Sequence, residues 1–202
     1  FTVLGRLEVS GQENIPPFGP LLVISNHLSY NDPPTLAVIM PRPLHFLAKE
    51  ELFSNPLLAA GMRSVNVYPL EKSSSGLGAM KTALGLLAQD QVVAVFPEGR
   101  RSPDHSLIKA LPGAAYLAIR SQATILPVGI TGTEKFPAAR MPFPLRRFQA
   151  NIGLPFTPPP FEGRVTKDGV NAVLAMMMQR IAMQLPEEYR GAYSLAPVRD
   201  RD

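Results

Sequence analysis

The chain has 202 residues, 46% of them hydrophobic and 18% charged, a balance that fits a sizeable folded globular core and excludes a wholly disordered chain. It contains no cysteine, which excludes disulfides, thiolate metal sites and a cysteine nucleophile. A net charge of +4 and a pI of about 9.6 suit anionic partners such as phospholipid headgroups, phosphate esters or coenzyme A, and no dense Lys/Arg block points to nucleic acid.

In chain order, Thr2 to Ser10 alternates loosely and reads as a strand, and the Gly- and Pro-rich stretch from Gly11 to Pro20 reads as a turn. Leu21 to Ser25 is a short apolar run, the pattern of a buried strand. A polar loop from Asn26 follows, and Asp32-Pro33-Pro34 predicts a helix start, with Asp32 as N-cap and proline in the first turn. Leu36 to Met40 continues that helix. Leu44 to Ala48 reads as a strand, Glu50 to Ala60 as a short helix interrupted at Pro56, and Val65 to Tyr68 as another strand. Leu77, Met80, Leu84, Leu87 and Ala88 recur at helical spacing. Val92 to Phe96 is a β-branched and aromatic run, again a buried strand.

Pro97 to Leu111 is a charged, irregular loop, followed by a helix from Gly113 to Ile119 and a strand from Thr124 to Ile130. The proline-rich stretch from Phe136 to Leu145 is irregular, Phe148 to Leu154 is a strand, and Thr157-Pro158-Pro159-Pro160 is a stiff connector. Gly169 to Leu185 is the clearest helix; its Met176-Met177-Met178 run reads as core packing or as the lining of an acyl tunnel. Strands alternating with helices predict an α/β fold with a mostly parallel central sheet flanked by helices. The expected organisation is a single domain over residues 1–202, with a motif-bearing core from about 7 to 133 and a C-terminal strand, connector and helix over 134–202.

In such sheets sites collect where strands end. Two predicted strand ends carry reactive residues. After the first, His27 is followed five positions later by Asp32. A neutral imidazole suits removal of a hydroxyl proton, and a carboxylate on its other nitrogen would fix the tautomer. On one helix these positions would face apart; on a loop that becomes a helix at Asp32 they can meet. The same residues also read as a structural histidine and an N-cap. After the second strand, Pro97-Glu98-Gly99-Arg100-Arg101-Ser102 offers a glycine for close backbone approach and two guanidinium forks for phosphate. A surface turn with a Glu–Arg ion pair is the plainer reading. His45 and His105 have no ligand spacing with His27, so no metal site is expected.

Together these segments resemble the PlsC-like glycerolipid acyltransferase family, typified by 1-acylglycerol-3-phosphate acyltransferase. Its NHxxxxD block is matched by Asn26, His27 and Asp32, and its FPEGTRS block by Phe96 to Ser102. A further block is matched by Ile125-Leu126-Pro127-Val128-Gly129, and the resemblance runs from about Leu7 to Thr133. It implies an O-acyltransferase in phospholipid biosynthesis, with His27 as general base and Asp32 orienting it. The donor would be acyl-CoA or an acyl carrier protein thioester, and the acceptor lysophosphatidic acid or a related glycerolipid. Asn26, Lys49, Glu98, Gly99, Arg100 and Arg101 would bind substrate, with Arg101 as phosphate ligand and no cofactor or metal.

Two positions depart from the family pattern: Arg100 stands where threonine is usual, and Tyr68 where an arginine commonly ends the second block, with Arg63 or Lys72 as possible substitutes for it. The resemblance also implies work at the cytoplasmic face of a membrane, peripherally or through a segment upstream of Phe1. The stretch from Phe136 to Phe148 interleaves Phe136, Met141, Phe143, Leu145 and Phe148 with Arg140, Arg146 and Arg147, and reads as a membrane-facing loop or as an ordinary surface loop.

Overall fold

The computed structural model describes residues 5–49, 67–70, 77–135, 146–161, 163 and 165–194. Among them, seven strands form one sheet: β1 (Gly5–Ser10), β2 (Leu21–Ser25), β3 (Leu44–Lys49), β4 (Val67–Leu70), β5 (Val92–Val95), β6 (Thr124–Thr131) and β7 (Arg146–Ile152). Their spatial order is β1-β7-β6-β2-β5-β3-β4. Every pairing is parallel except β6 with β7, as the alternation of strands and helices predicts. Four helices belong to the described residues: α1 (Asp32–Ile39), α2 (Leu77–Leu87), α3 (Gly113–Ser121) and α4 (Lys167–Ala182). The predicted helix from Glu50 to Ala60 lies outside the described residues, as do Arg63 and Lys72. The strand predicted for Val65 to Tyr68 is found as β4, shifted toward Leu70, with Tyr68 paired to Leu47.

The strand β2 shows why its sequence is a continuous apolar run. It lies in the middle of the sheet, and successive side chains enter opposite cores. Leu22 and Ile24 join the core under α2, α3 and α4, with Met177, Met178 and Ile181. Leu21 and Val23 join the other core with Leu36 and Ile39 of α1. All four residues are 0% exposed, so no face of β2 is free to be polar. Met177 and Met178 are likewise fully buried in the core they share with Leu22 and Ile24, and Met176 beside them is partly exposed. The C-terminal helix α4 thus packs on the motif-bearing strands.

Because β2, β5 and β6 are parallel, their C-terminal ends share one edge, and the loops that leave them lie side by side. At the opposite edge Arg42 ties three chain segments together, donating to Gly19 O at 2.8 Å, Asp90 O at 2.6 Å and Pro16 O at 3.3 Å. Pro127 is tolerated inside β6 because it precedes the β6–β7 ladder, which begins at Val128↔Ile152.

Candidate active site

The chain leaves β2 at Ser25, and Asn26 extends the strand pairing by one side chain. Its amide donates to Ile130 O and accepts from Ile130 N–H, both at 2.8 Å. Asn26 is 1% exposed, so this residue, expected at the substrate, instead clamps the His27 loop to β6.

Asp32 was expected to cap the helix it opens. It does not: α1 has Asn31 at its N-cap position with no side-chain capping bond, and Pro33 and Pro34 occupy early positions that need no N–H donor. The carboxylate turns back on its own loop. Its Oδ2 accepts from Leu28 N–H at 2.6 Å and Ser29 N–H at 2.8 Å, and lies 2.8 Å from His27 Nδ1. Its Oδ1 accepts from the Thr133 hydroxyl at 2.5 Å. With both oxygens engaged as acceptors, Nδ1 is the donor to Asp32, which in the neutral ring leaves the lone pair on Nε2. Asp32 is 0% exposed, whereas the His27 side chain keeps 17%, so the pair is anchored inside and reaches outward. Phe96 stacks on the imidazole with ring centres 4.2 Å apart and planes 18° from parallel, fixing the remaining face of the ring.

Glu98 takes a different role from the one its motif suggested. It is 2% exposed and makes no ion pair with the arginines. Its Oε1 accepts the backbone N–H of His27 at 2.8 Å and its Oε2 that of Ile108 at 2.9 Å. Burial raises its carboxyl above the usual range, and the two backbone bonds only partly offset this. Glu98 therefore ties the His27 loop to the loop that carries Ile108. Ser102 N–H returns the link, donating to His27 O at 2.8 Å.

Gly99 has φ +67, and a Cβ there would lie 2.5 Å from Leu111 Cδ1, so both reasons for a glycine apply. Arg100 and Arg101 are exposed at the mouth. Arg101 lies over the Tyr30 ring, 3.9 Å from its centre, and donates to the Tyr30 hydroxyl at 3.1 Å. Lys49 ends β3 opposite Leu70 of β4; its side chain lies outside the described residues. Of the loop expected to face a membrane, residues 136–145 lie outside the described residues, and Phe148 points into the core of β7, 4% exposed. Among the described residues no group of histidine and acidic side chains is arranged to hold a metal ion, and no helix is long and apolar enough to cross a membrane.

Two members of the site had no signal in their spacing, Thr133, which holds Asp32, and Tyr30, which holds Arg101; Phe96 stood in a matched block, but its stacking on His27 was not readable there. Each depends on the neighbouring order of β6, β2 and β5, a long-range fact. The length of β6, one residue past its predicted end, is what brings Thr133 near Asp32.

The family profile described as Acyltransferase matches residues 6–131. The chain is 26% identical over 178 residues to the 1-acyl-sn-glycerol-3-phosphate acyltransferase of Bacillus subtilis, covering 88% of this chain and 87% of that relative. It is 32% identical over 174 residues to the human 1-acyl-sn-glycerol-3-phosphate acyltransferase alpha, covering 83% of this chain but only 59% of that longer protein. Its fold is similar to the crystal structure of the 1-acyl-sn-glycerophosphate (LPA) acyltransferase PlsC from Thermotoga maritima, with a TM-score of 0.66 and 27% identity over 86% of this chain and 69% of the other.

Proposed function

The chain belongs to the acyltransferase family and is on that ground an O-acyltransferase, and from this premise we propose that it moves a fatty acyl group from a thioester to the free hydroxyl of 1-acylglycerol-3-phosphate. The observation that carries this reading is the His27–Asp32 pair, with Nδ1 committed to a buried carboxylate and Nε2 left to meet a hydroxyl.

The reaction needs one proton moved twice. As the acceptor oxygen attacks the thioester carbonyl, its proton passes to His27 Nε2 and an imidazolium forms beside Asp32. The tetrahedral intermediate collapses with cleavage of the C–S bond, and the imidazolium returns the proton to the departing thiolate. An ester and a free thiol result, with no acyl-enzyme, in keeping with a chain that lacks cysteine. Arg101, supported on Tyr30, and Arg100 beside it receive the phosphate of the acceptor. The extra cation at Arg100 strengthens the attraction for a dianion.

The donor is acyl-CoA or acyl carrier protein, and no cofactor takes part. The mouth of the site combines exposed Tyr30 and Leu111, 62% and 57% accessible, with Arg100, Arg101 and Lys109. Apolar tips among cations suit an anionic bilayer, so we place the enzyme on the cytoplasmic face of a membrane with this mouth toward the lipid.

The test is thiol release from long-chain acyl-CoA and from acyl carrier protein thioester, with and without lysophosphatidic acid. Release that requires the acceptor and disappears in His27→Ala supports the reading, and product analysis then gives the position acylated. Release that persists in His27→Ala sinks it.

A further inference from the structure

Asp32 has two oxygens with different tasks. Oδ2 serves the His27 loop, taking Leu28 N–H, Ser29 N–H and His27 Nδ1. Oδ1 is held by Thr133, a residue 101 positions downstream on the far side of β2. The distinction matters because rotation of a carboxylate about its last side-chain bond is soft and roughly two-fold. A carboxylate held at one oxygen can still swing its plane; one held at both cannot. The direction in which Oδ2 faces the imidazole therefore depends on the bond to Oδ1.

Thr133 is itself unusually well fixed. It is 0% exposed and follows Gly132, whose φ of +87 turns the chain sharply at the end of β6. No other residue fits there without displacing main chain: a Cβ on Gly132 would lie 2.3 Å from Arg147 O. Lys135 N–H closes the turn on Gly132 O at 3.2 Å. On the far side, Glu134 Oε1 accepts the Tyr189 hydroxyl at 2.9 Å. Burial and the neighbouring Glu134 push that phenol up to about 12, so it stays a donor at working pH. Through Tyr189, the segment after α4 braces the turn that presents Thr133, and the same segment pairs with Leu107 in the Glu98 loop.

We propose, on the basis of the transfer reading above, that Thr133 is a positioning residue of the reaction, the third member of a Thr133–Asp32–His27 chain that sets the plane of the carboxylate and with it the tautomer and aim of His27. It touches neither substrate nor the reacting atoms. A threonine that merely satisfied a buried carboxylate would, on losing its hydroxyl, lower folding stability and leave the imidazole unchanged.

The experiment compares Thr133→Val, which removes only the hydroxyl donor, with Thr133→Ser, which keeps it. In steady-state transfer, Thr133→Val lowers kcat about tenfold with both KM values within about twofold of the parent, and Thr133→Ser stays within about threefold in kcat. In ¹⁵N-histidine-labelled protein, with His27→Ala to assign the signal, the parent and Thr133→Ser show His27 as the single Nδ1–H tautomer, and Thr133→Val shows a mixture. A Thr133→Val protein that keeps the parent's kcat, or that retains a single Nδ1–H tautomer at His27, overturns the proposal. If the parent itself shows no His27-dependent transfer, the reading of function fails, and the tautomer comparison still decides the role of Thr133 in orienting the imidazole.

Discussion

The backbone N–H of His27 donates to Glu98 Oε1 at 2.8 Å, so two sequence blocks 71 residues apart meet through a main-chain atom and not through the imidazole. The arrangement leaves the ring free for chemistry while its backbone is fixed from the neighbouring loop. It also puts a carboxyl group where water does not reach.

Glu98→Gln separates those two effects. Because burial raises the folded-state value above the ordinary 4.5, the folded protein holds the Glu98 proton to higher pH than the unfolded chain does. The stabilisation this gives is complete below the unfolded value and is lost as pH rises through the raised folded value. Denaturant titrations from pH 4 upward should therefore show the parent losing stability relative to Glu98→Gln across that window. Glutamine offers one acceptor oxygen where two backbone N–H groups need one each, so at the acid end the variant is the weaker by about 1–3 kcal/mol. A parent–variant difference independent of pH would contradict the burial argument.

Asp32→Asn keeps the size of the side chain and replaces an acceptor oxygen by a donor. The amide NH₂ must face either Thr133 or the three donors at Oδ2, and the His27 tautomer reverses if it faces the ring. The expected loss in kcat/KM is about 10²- to 10⁴-fold, with a lowered melting temperature. Thiol-release kinetics alongside thermal melts test both; parent-like turnover would remove Asp32 from the mechanism.

Arg101→Ala should act on the acceptor more than on the chemistry. Acceptor KM rises about tenfold while kcat changes less, the signature of lost binding shared by ground and transition states. Tyr30→Phe keeps the stacked ring at 3.9 Å and loses the 3.1 Å hydroxyl contact, so its effect on KM is about twofold. The readout is the acceptor dependence of thiol release at saturating donor.

Leu111→Asp tests the orientation at a bilayer. The side chain is 57% exposed and lies against Gly99, the residue before the two arginines, so folding tolerates the change while an apolar tip becomes an anion. Co-sedimentation with phosphatidylglycerol-containing vesicles should fall several-fold, and the parent's binding should weaken with added salt. Equal binding by the two proteins would turn this face away from the membrane.

The fold was legible in the sequence because its signals are local. Leu21 to Ser25 and Val92 to Phe96 announce buried parallel strands by their unbroken apolar runs, and α4 by its helical period. His27, Asp32 and Gly99 were likewise legible as a loop-borne pair and a strained turn. The partners were not. Asn26 and Glu98 look like substrate ligands in sequence, and nothing local says that their polar atoms are already committed to Ile130, His27 and Ile108. Asp32 before two prolines resembles a cap, and only the folded loop shows its carboxylate reaching backward. Thr133 and Tyr30 enter the site through strand adjacency and a cation over a ring, neither of which leaves a pattern in spacing.

The pairing of β1 with β7 has a consequence for how the chain reaches this state. Ser10 and Asn151 meet across it while standing 141 residues apart in sequence, whereas β6 and β7 are near neighbours along the chain. During synthesis β1 emerges long before its partner exists. β7 can join β6 as soon as both are made, and its outer edge then waits for β1 to close the longest loop in the sheet. Until that closure the outer edge of β7 is unpaired, and an unpaired edge is a template that another chain can join; the six residues of β1 are what cover it in the folded protein.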